Sequence, residues 1–304
     1  MIQPPKLKLN DKAIIVSPAG NIDSLLVYNT ASILSDWGLD VAISDNALTK
    51  AGRFSGTVED RASDLQQALN DKDIKMILCS RGGYGAIHLL NKVDFVGLKR
   101  YPKWIIGYSD ITALHSALQK NGIMSIHGPM AKHFSEEGIN DPSVISTKSI
   151  LFGENIHYQI TVNDNYSINK NGEAEGVLFG GNLAVMCGLL GTKLFYAPKN
   201  GILFIEDIGE PPYKIDRFIN QLKLSGMFDK ISGLIVGIFT EYEEDPNMYY
   251  PLRETIANTL REYSFPICFN FPVGHVTKNY PLVTGKEAIL SVTNNNINFK
   301  QKLY

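Results

Sequence analysis

Short apolar runs that end in polar turns, each followed by a helix-like stretch, recur along this chain. Residues 13–16 form such a run and stop at Ser17-Pro18-Ala19-Gly20. Residues 24–37 then carry helical spacing through Leu25, Tyr28, Ile33, Leu34 and Trp37, with Gly38 beyond as a stop. Residues 39–43 read as a second strand and 59–69 as a second helix. Residues 74–79 form a third strand that runs into Ser80-Arg81-Gly82-Gly83-Tyr84-Gly85, with a helix expected over 86–90. Residues 104–108 are a fourth strand, broken at Ser109-Asp110 before a helix over 111–120. This alternation predicts a doubly wound, mostly parallel sheet covered on both faces.

The character changes between Gly153 and Gly176, where Asn155, Asn163, Asn165, Asn169 and Asn171 are interleaved with Tyr, Ile and Thr. We expect an N-terminal α/β domain over 1–150, a linker over 151–175 and a C-terminal α/β domain over 176–304. The second half offers a Gly-rich apolar stretch at 176–191, strands at 202–205, 234–239 and 267–271, and helices at 216–224 and 253–263. A short polar tail is expected to close the chain.

Composition removes several classes. With 304 residues and 44% hydrophobic content the chain can bury a sizeable core without disulfides or metals. Lys+Arg number 29 against 31 Asp+Glu, and no basic block occurs, which argues against nucleic acid as a partner. Cys79, Cys187 and Cys268 are far apart and form no C-x-x-C, so neither a zinc knuckle nor a disulfide framework is written here. They read as buried thiols in a reducing compartment. No stretch approaches the roughly 18 apolar residues of a membrane span, and no apolar run follows the N-terminal lysines. The expectation is a soluble, cytoplasmic protein with no membrane partner.

Ligands of parallel sheets bind beyond the carboxyl ends of the strands, which directs attention to 80–85 and 107–110. In Ile106-Gly107-Tyr108-Ser109-Asp110-Ile111, a strand meets a helix at Ser109. A serine on such a turn is exposed, and the following backbone N–H is free to bind an oxyanion. The segment departs from G-x-S-x-G, and Ser109 or Asp110 serves equally well as a helix N-cap. Arg81-Gly82-Gly83-Tyr84-Gly85 is neither a P-loop nor a dinucleotide fingerprint. Its glycines allow close approach of backbone N–H groups to an anion, or simply a tight turn.

Glu206 and Asp207 end a buried strand, where a carboxylate either orients a histidine or pairs structurally. Asp207, Glu210 and Asp216 read as solvated or capping. His275 follows a strand and a glycine. His88 and His115 fall in helices as surface or packing residues, His127 in a turn and His157 in the linker. His133-Phe134-Ser135-Glu136 matches H-x-x-E, yet no further histidine of zinc-ligand spacing accompanies it, so no metal is expected. Ser109, Glu206 and His275 occur in one of the chain orders open to a nucleophile–acid–base triad. Spacing alone does not bring them together.

These motifs, with Val16-Ser17-Pro18-Ala19, His127-Gly128-Pro129-Met130, Gly180-Gly181-Asn182-Leu183 and the run from Glu206 to Arg217, resemble the LD-carboxypeptidase family of serine peptidases. That family includes muramoyltetrapeptide carboxypeptidases and microcin C immunity proteins. The resemblance covers most of the chain. It implies Ser109 as nucleophile, His275 as general base, Glu206 as the carboxylate orienting it, and an oxyanion hole from Asp110 and Gly82 or Gly83. It implies a two-domain fold with the active site at the junction, a homodimer and no cofactor. The implied activity is removal of the terminal D-alanine from murein tetrapeptides during peptidoglycan recycling. The alternatives are hydrolysis of peptidyl- or aminoacyl-nucleotide amides, or a non-catalytic binding protein. A carboxypeptidase must also hold a terminal carboxylate, which suits a guanidinium. Arg81 and Arg217 are the candidates, and Tyr84 stands beside Arg81.

Overall fold

Residues 1–162 and 168–304 are described in the computed structural model, and they form two compact units. The first comprises Met1–Glu154, Thr277–Gly285 and Tyr304; the second comprises Asn155–Val276 and Lys286–Leu303.

The first unit holds the expected parallel sheet, with one strand more than the sequence suggested: 125–127 pairs with the fourth strand where a turn was expected at His127. Strands β1 (Lys12–Val16), β2 (Asp40–Ile43), β3 (Ile74–Cys79), β4 (Trp104–Gly107) and β5 (Ser125–His127) run parallel in the spatial order β5-β4-β3-β1-β2. A late strand, Leu282–Thr284, adds antiparallel to β5. The chain order reverses where β1 lies between β2 and β3, so β1 and β3 leave the sheet toward opposite faces, the switch point of a doubly wound sheet. Every residue of β4 and β5 is buried, as parallel strands covered on both faces require.

The helices are α1 (Ser24–Asp36), α2 (Val58–Asn70), α3 (Thr112–Lys120), α4 (Ala131–Glu137) and α5 (Pro142–Leu151). Their starts carry side-chain caps: Asp23 accepts from Leu25 N, Thr57 and Asp60 form a reciprocal capping box, and Asp141 accepts from Ser143 N and Val144 N. The end of α2 is closed by Lys103. Its buried ammonium donates to the carbonyls of Ala68, Leu69 and Asp71, which have no partners within the helix. The stretch expected as a helix over 86–90 is a single 3-10 turn, Ala86–Leu89. It is too short between Gly85 and the turn at Leu90 to sustain an α-helix.

The second unit is a mixed seven-stranded sheet. Its strands are β6 (Ile156–Thr161), β7 (Gly172–Asn182), β8 (Gly201–Ile208), β9 (Ile231–Thr240) and β10 (Ile267–Cys268); with Leu282–Thr284 counted as β11, β12 (Glu287–Val292) and β13 (Asn296–Gln301) follow. The order is β10-β9-β8-β7-β12-β13-β6, parallel from β10 to β7 and antiparallel beyond. Helices α6 (Leu183–Leu189), α7 (Pro212–Leu224) and α8 (Leu252–Thr259) pack on the parallel half around Leu203, Ile205, Ile215, Ile219 and Leu234.

Two expectations change here. The stretch read as a linker over 151–175 completes α5, supplies edge strand β6 and begins β7. Its asparagines end strands: Asn155 Oδ1 accepts from Leu303 N, Asn169 Oδ1 from Phe269 N, and Asn171 donates to Asn294 Oδ1. Asn163 and Asn165 lie outside the described residues. The polar tail is the hairpin β12–β13, with Ala288, Leu290 and Val292 facing inward opposite Ile297 and Phe299. This period-2 alternation marks a sheet with one buried face. The first unit also extends past residue 150, because β11 rejoins it from far along the chain. Among the described residues no helix is long and apolar enough to cross a membrane.

Candidate active site

Ser109 stands where β4 gives way to a 3-10 turn, Ser109–Ile111, that leads into α3. Its φ is 63°, a left-handed conformation that a non-glycine residue adopts at some cost. The turn is sharp because Gly107 lets the backbone pass close to Ile111: a Cβ on Gly107 would sit 2.9 Å from that side chain. Gly82 approaches Ser109 from the loop after β3. A Cβ there would fall 2.8 Å from Ser109 Cβ, 3.0 Å from its Oγ and 3.3 Å from the backbone nitrogen of Asp110. The first unit thus gathers three of the expected residues, Ser109, Asp110 and Gly82, with Gly83 next in the chain.

The Asp110 carboxylate is buried and accepts from Ala86 N at 2.7 Å, which docks the loop after β3 onto the serine turn. Burial pushes its pKa up, opposed by that hydrogen bond and by the charges of His88 and Arg61. Arg61, not anticipated from the sequence, is buried on α2 and donates to the carbonyls of Pro18 and Gly85. It ties the loops after β1 and β3 together. Nothing in the α2 pattern distinguishes it from a surface arginine.

Gly20, Asn21, Arg53, Arg81, Gly83 and Tyr84 line a cavity of about 430 Å³ beside these loops. Arg81 Nη1 donates to Asn21 O at 3.0 Å, and the Tyr84 ring stands edge-on to His88.

Glu206 and His275 belong to the second unit. Glu206 is wholly buried near the end of β8, and its Oε2 accepts from His275 Nδ1 at 2.8 Å. Its Oε1 is buried without a hydrogen-bond partner among the described residues. Gly274 makes the approach possible. Its φ is 126°, and a Cβ there would sit 3.0 Å from both Glu206 Oε2 and Ile238 O. With Nδ1–H donated to the carboxylate, Nε2 carries the lone pair of the neutral ring. Burial lowers the His275 pKa, but the hydrogen bond and charge of Glu206, with the charges of Asp207 and Glu241, outweigh it and leave it raised.

Of the two readings the sequence left for Asp207, solvated or capping, the second holds. The side chain is buried, accepts from Asn182 Nδ2, Ala184 N and Ile208 N, and caps the start of α6. Burial and the neighbouring Glu206 charge push its pKa up to about 6. Glu210 pairs with Lys214, Asp216 holds Asn220, and Arg217 lies over the Tyr213 ring on α7.

His115 is a packing residue within α3, as expected, whereas His127 sits on β5 instead of in a turn and His157 on strand β6 instead of in a linker. His115 and His127 are both buried. His133 is buried with its Nε2 3.1 Å from Asp141 Oδ1, and no group of three or more His, Cys, Asp or Glu among the described residues could hold a metal ion.

Residues 14–128 match the LD-carboxypeptidase N-terminal domain and 175–290 the LD-carboxypeptidase C-terminal domain. The chain belongs to the LD-carboxypeptidase family. It is 34% identical to the putative carboxypeptidase slr1534 of Synechocystis sp., over 95% of this chain and 94% of that protein. It is 30% identical to the murein tetrapeptide carboxypeptidase of Pseudomonas aeruginosa, over 93% of this chain and 94% of the other. Its fold is similar to the crystal structure of muramoyltetrapeptide carboxypeptidase from Oxalobacter formigenes, with a TM-score of 0.88 and 27% identity, covering 96% of this chain and 99% of that one.

Proposed function

We propose that this LD-carboxypeptidase family member hydrolyses the L,D-peptide bond before the terminal D-alanine of murein tetrapeptides, in cytoplasmic peptidoglycan recycling, and acts as a homodimer. The observation that carries the reading is Ser109 held at φ 63° against Gly82 and the Asp110 N–H. An activated serine needs a base, and the Glu206–His275 pair is built as one.

In this reading His275 Nε2 takes the Ser109 hydroxyl proton as Oγ attacks the scissile carbonyl. Glu206 fixes the ring tautomer and stabilises the imidazolium. The N–H groups of Asp110 and of Gly82 or Gly83 hold the tetrahedral oxyanion. His275 then gives its proton to the departing amine of D-alanine, and the peptide remains esterified to Ser109. Water, deprotonated by the same histidine, cleaves that ester and restores the serine. Arg81 and Tyr84 contact the substrate beside the serine, and Arg217 is a further candidate contact.

Mass spectrometry of muramoyl-L-Ala-D-Glu-diaminopimelate-D-Ala incubated with wild type and with Ser109→Ala tests the assignment. Loss of one alanine with wild type alone is expected. Cleavage by both removes Ser109 as nucleophile. Cleavage by neither turns the reading to a peptidyl-nucleotide amide.

A further inference from the structure

The cavity after β1 and β3 has a chemistry that the catalytic roles leave unused. It lies at the switch point of the first sheet: Gly20 and Asn21 follow β1, while Arg81, Gly83 and Tyr84 follow β3. A doubly wound sheet opens a crevice at this position. Two of its six lining residues are arginines and none is acidic. Among the described residues neither Arg53 nor Arg81 has a carboxylate partner.

The walls are tied together by the backbone. Asn21 N donates to Arg53 O at 3.1 Å, Asn21 Nδ2 donates to Gly52 O at 2.8 Å, and Gly20 N donates to Gly82 O at 2.9 Å. The third of these bonds ends on the residue whose missing side chain makes room for Ser109. The two guanidinium groups and the serine are therefore carried on one hydrogen-bonded frame, within a single unit.

A guanidinium presents a planar fork of donors that matches a carboxylate. We infer that Arg53 and Arg81 together form the subsite for the free carboxylate of the substrate's C-terminal residue, with Arg53 a specificity-determining residue. The assignment rests on the proposed peptidase reading and names the feature of the peptide that the cavity recognises. Arg53 is not distinguished in the sequence, because it sits in a turn after β2 with no motif of its own.

Binding and turnover separate the two ideas. Calorimetric titration of Ser109→Ala with the muramoyl tetrapeptide and with its C-terminal amide measures the carboxylate preference without hydrolysis. We expect the acid to bind about tenfold or more tightly, as a charge-assisted hydrogen bond gives. Adding Arg53→Gln should erase most of that preference, and Arg53→Lys should restore part of it. A preference that survives Arg53→Gln, equal binding of acid and amide, or no binding of either overturns the subsite. Arg53-dependent preference without cleavage by wild type leaves the subsite standing and removes the proposed reaction. Cleavage with an Arg53-independent preference does the reverse.

Discussion

Glu206 Oε2 lies 2.8 Å from His275 Nδ1, and the glycine before the histidine is what lets the two side chains approach. Burial alone would lower the imidazole pKa, and the carboxylate turns that into a rise. A base must be neutral to act, so kcat/KM should climb as pH rises through a His275 pKa above 6.5. Removing the charge with Glu206→Gln leaves burial less opposed. The acidic limb should move to lower pH while kcat falls by about 10³-fold or more. A pH–rate profile checks both, and an unmoved limb would show that the pair does not set the base.

Gly82→Ala should be far more damaging to turnover than to folding. Its methyl would press on Ser109 Cβ and Oγ and on the Asp110 nitrogen. We expect a loss of about 1–3 kcal/mol of stability from overpacking. The fall in kcat should be on the order of 100-fold or more, the scale of losing an oxyanion donor. Thermal unfolding with steady-state kinetics separates the two, and normal kcat would remove Gly82 from the site.

His115 supplies an acid-sensitive element. It is fully buried, with Nε2 2.8 Å from Gly107 O and Nδ1 2.8 Å from Ser125 Oγ. A carbonyl only accepts, so Nε2 donates to Gly107 and Nδ1 accepts from Ser125. Burial, partly opposed by the Gly107 bond, lowers its pKa from 6.5 to about 4. The stability this neutral ring provides is fully present above pH 6.5. It is lost as pH falls toward 4, by about 3 kcal/mol in total. Denaturant titrations of wild type and His115→Gln should therefore converge as the pH is lowered through that window. A constant gap between them would rule the titration out.

Lys103→Met should cost about 1–3 kcal/mol, because three carbonyls at the end of α2 lose a charged donor. Urea unfolding measures it, with KM unchanged. No loss of stability would mean that water satisfies those carbonyls equally well.

Local pattern was enough for β1 to β4 and for the turns that bear the chemistry, though not for β5. Strands after which Ser80–Gly85 and Ser109-Asp110 follow announce themselves by local hydrophobic runs and glycines, and the site residues there are neighbours in sequence. The resemblance marked Glu206 and His275, but only the fold brought them within 2.8 Å, across 69 residues of chain. Long-range pairing also makes strands of 156–161, 287–292 and 296–301. Their alternation is short and polar on one side, and it becomes a sheet only when β13 pairs with both β6 and β12. The fold likewise carries β11 into the first unit, buries Arg61 and sets Arg53 on the wall of a cavity. Pairing across long separations and the burial of a lone arginine depend on partners that no local pattern encodes, whereas hydrophobic period and turn chemistry are local and so can be read directly.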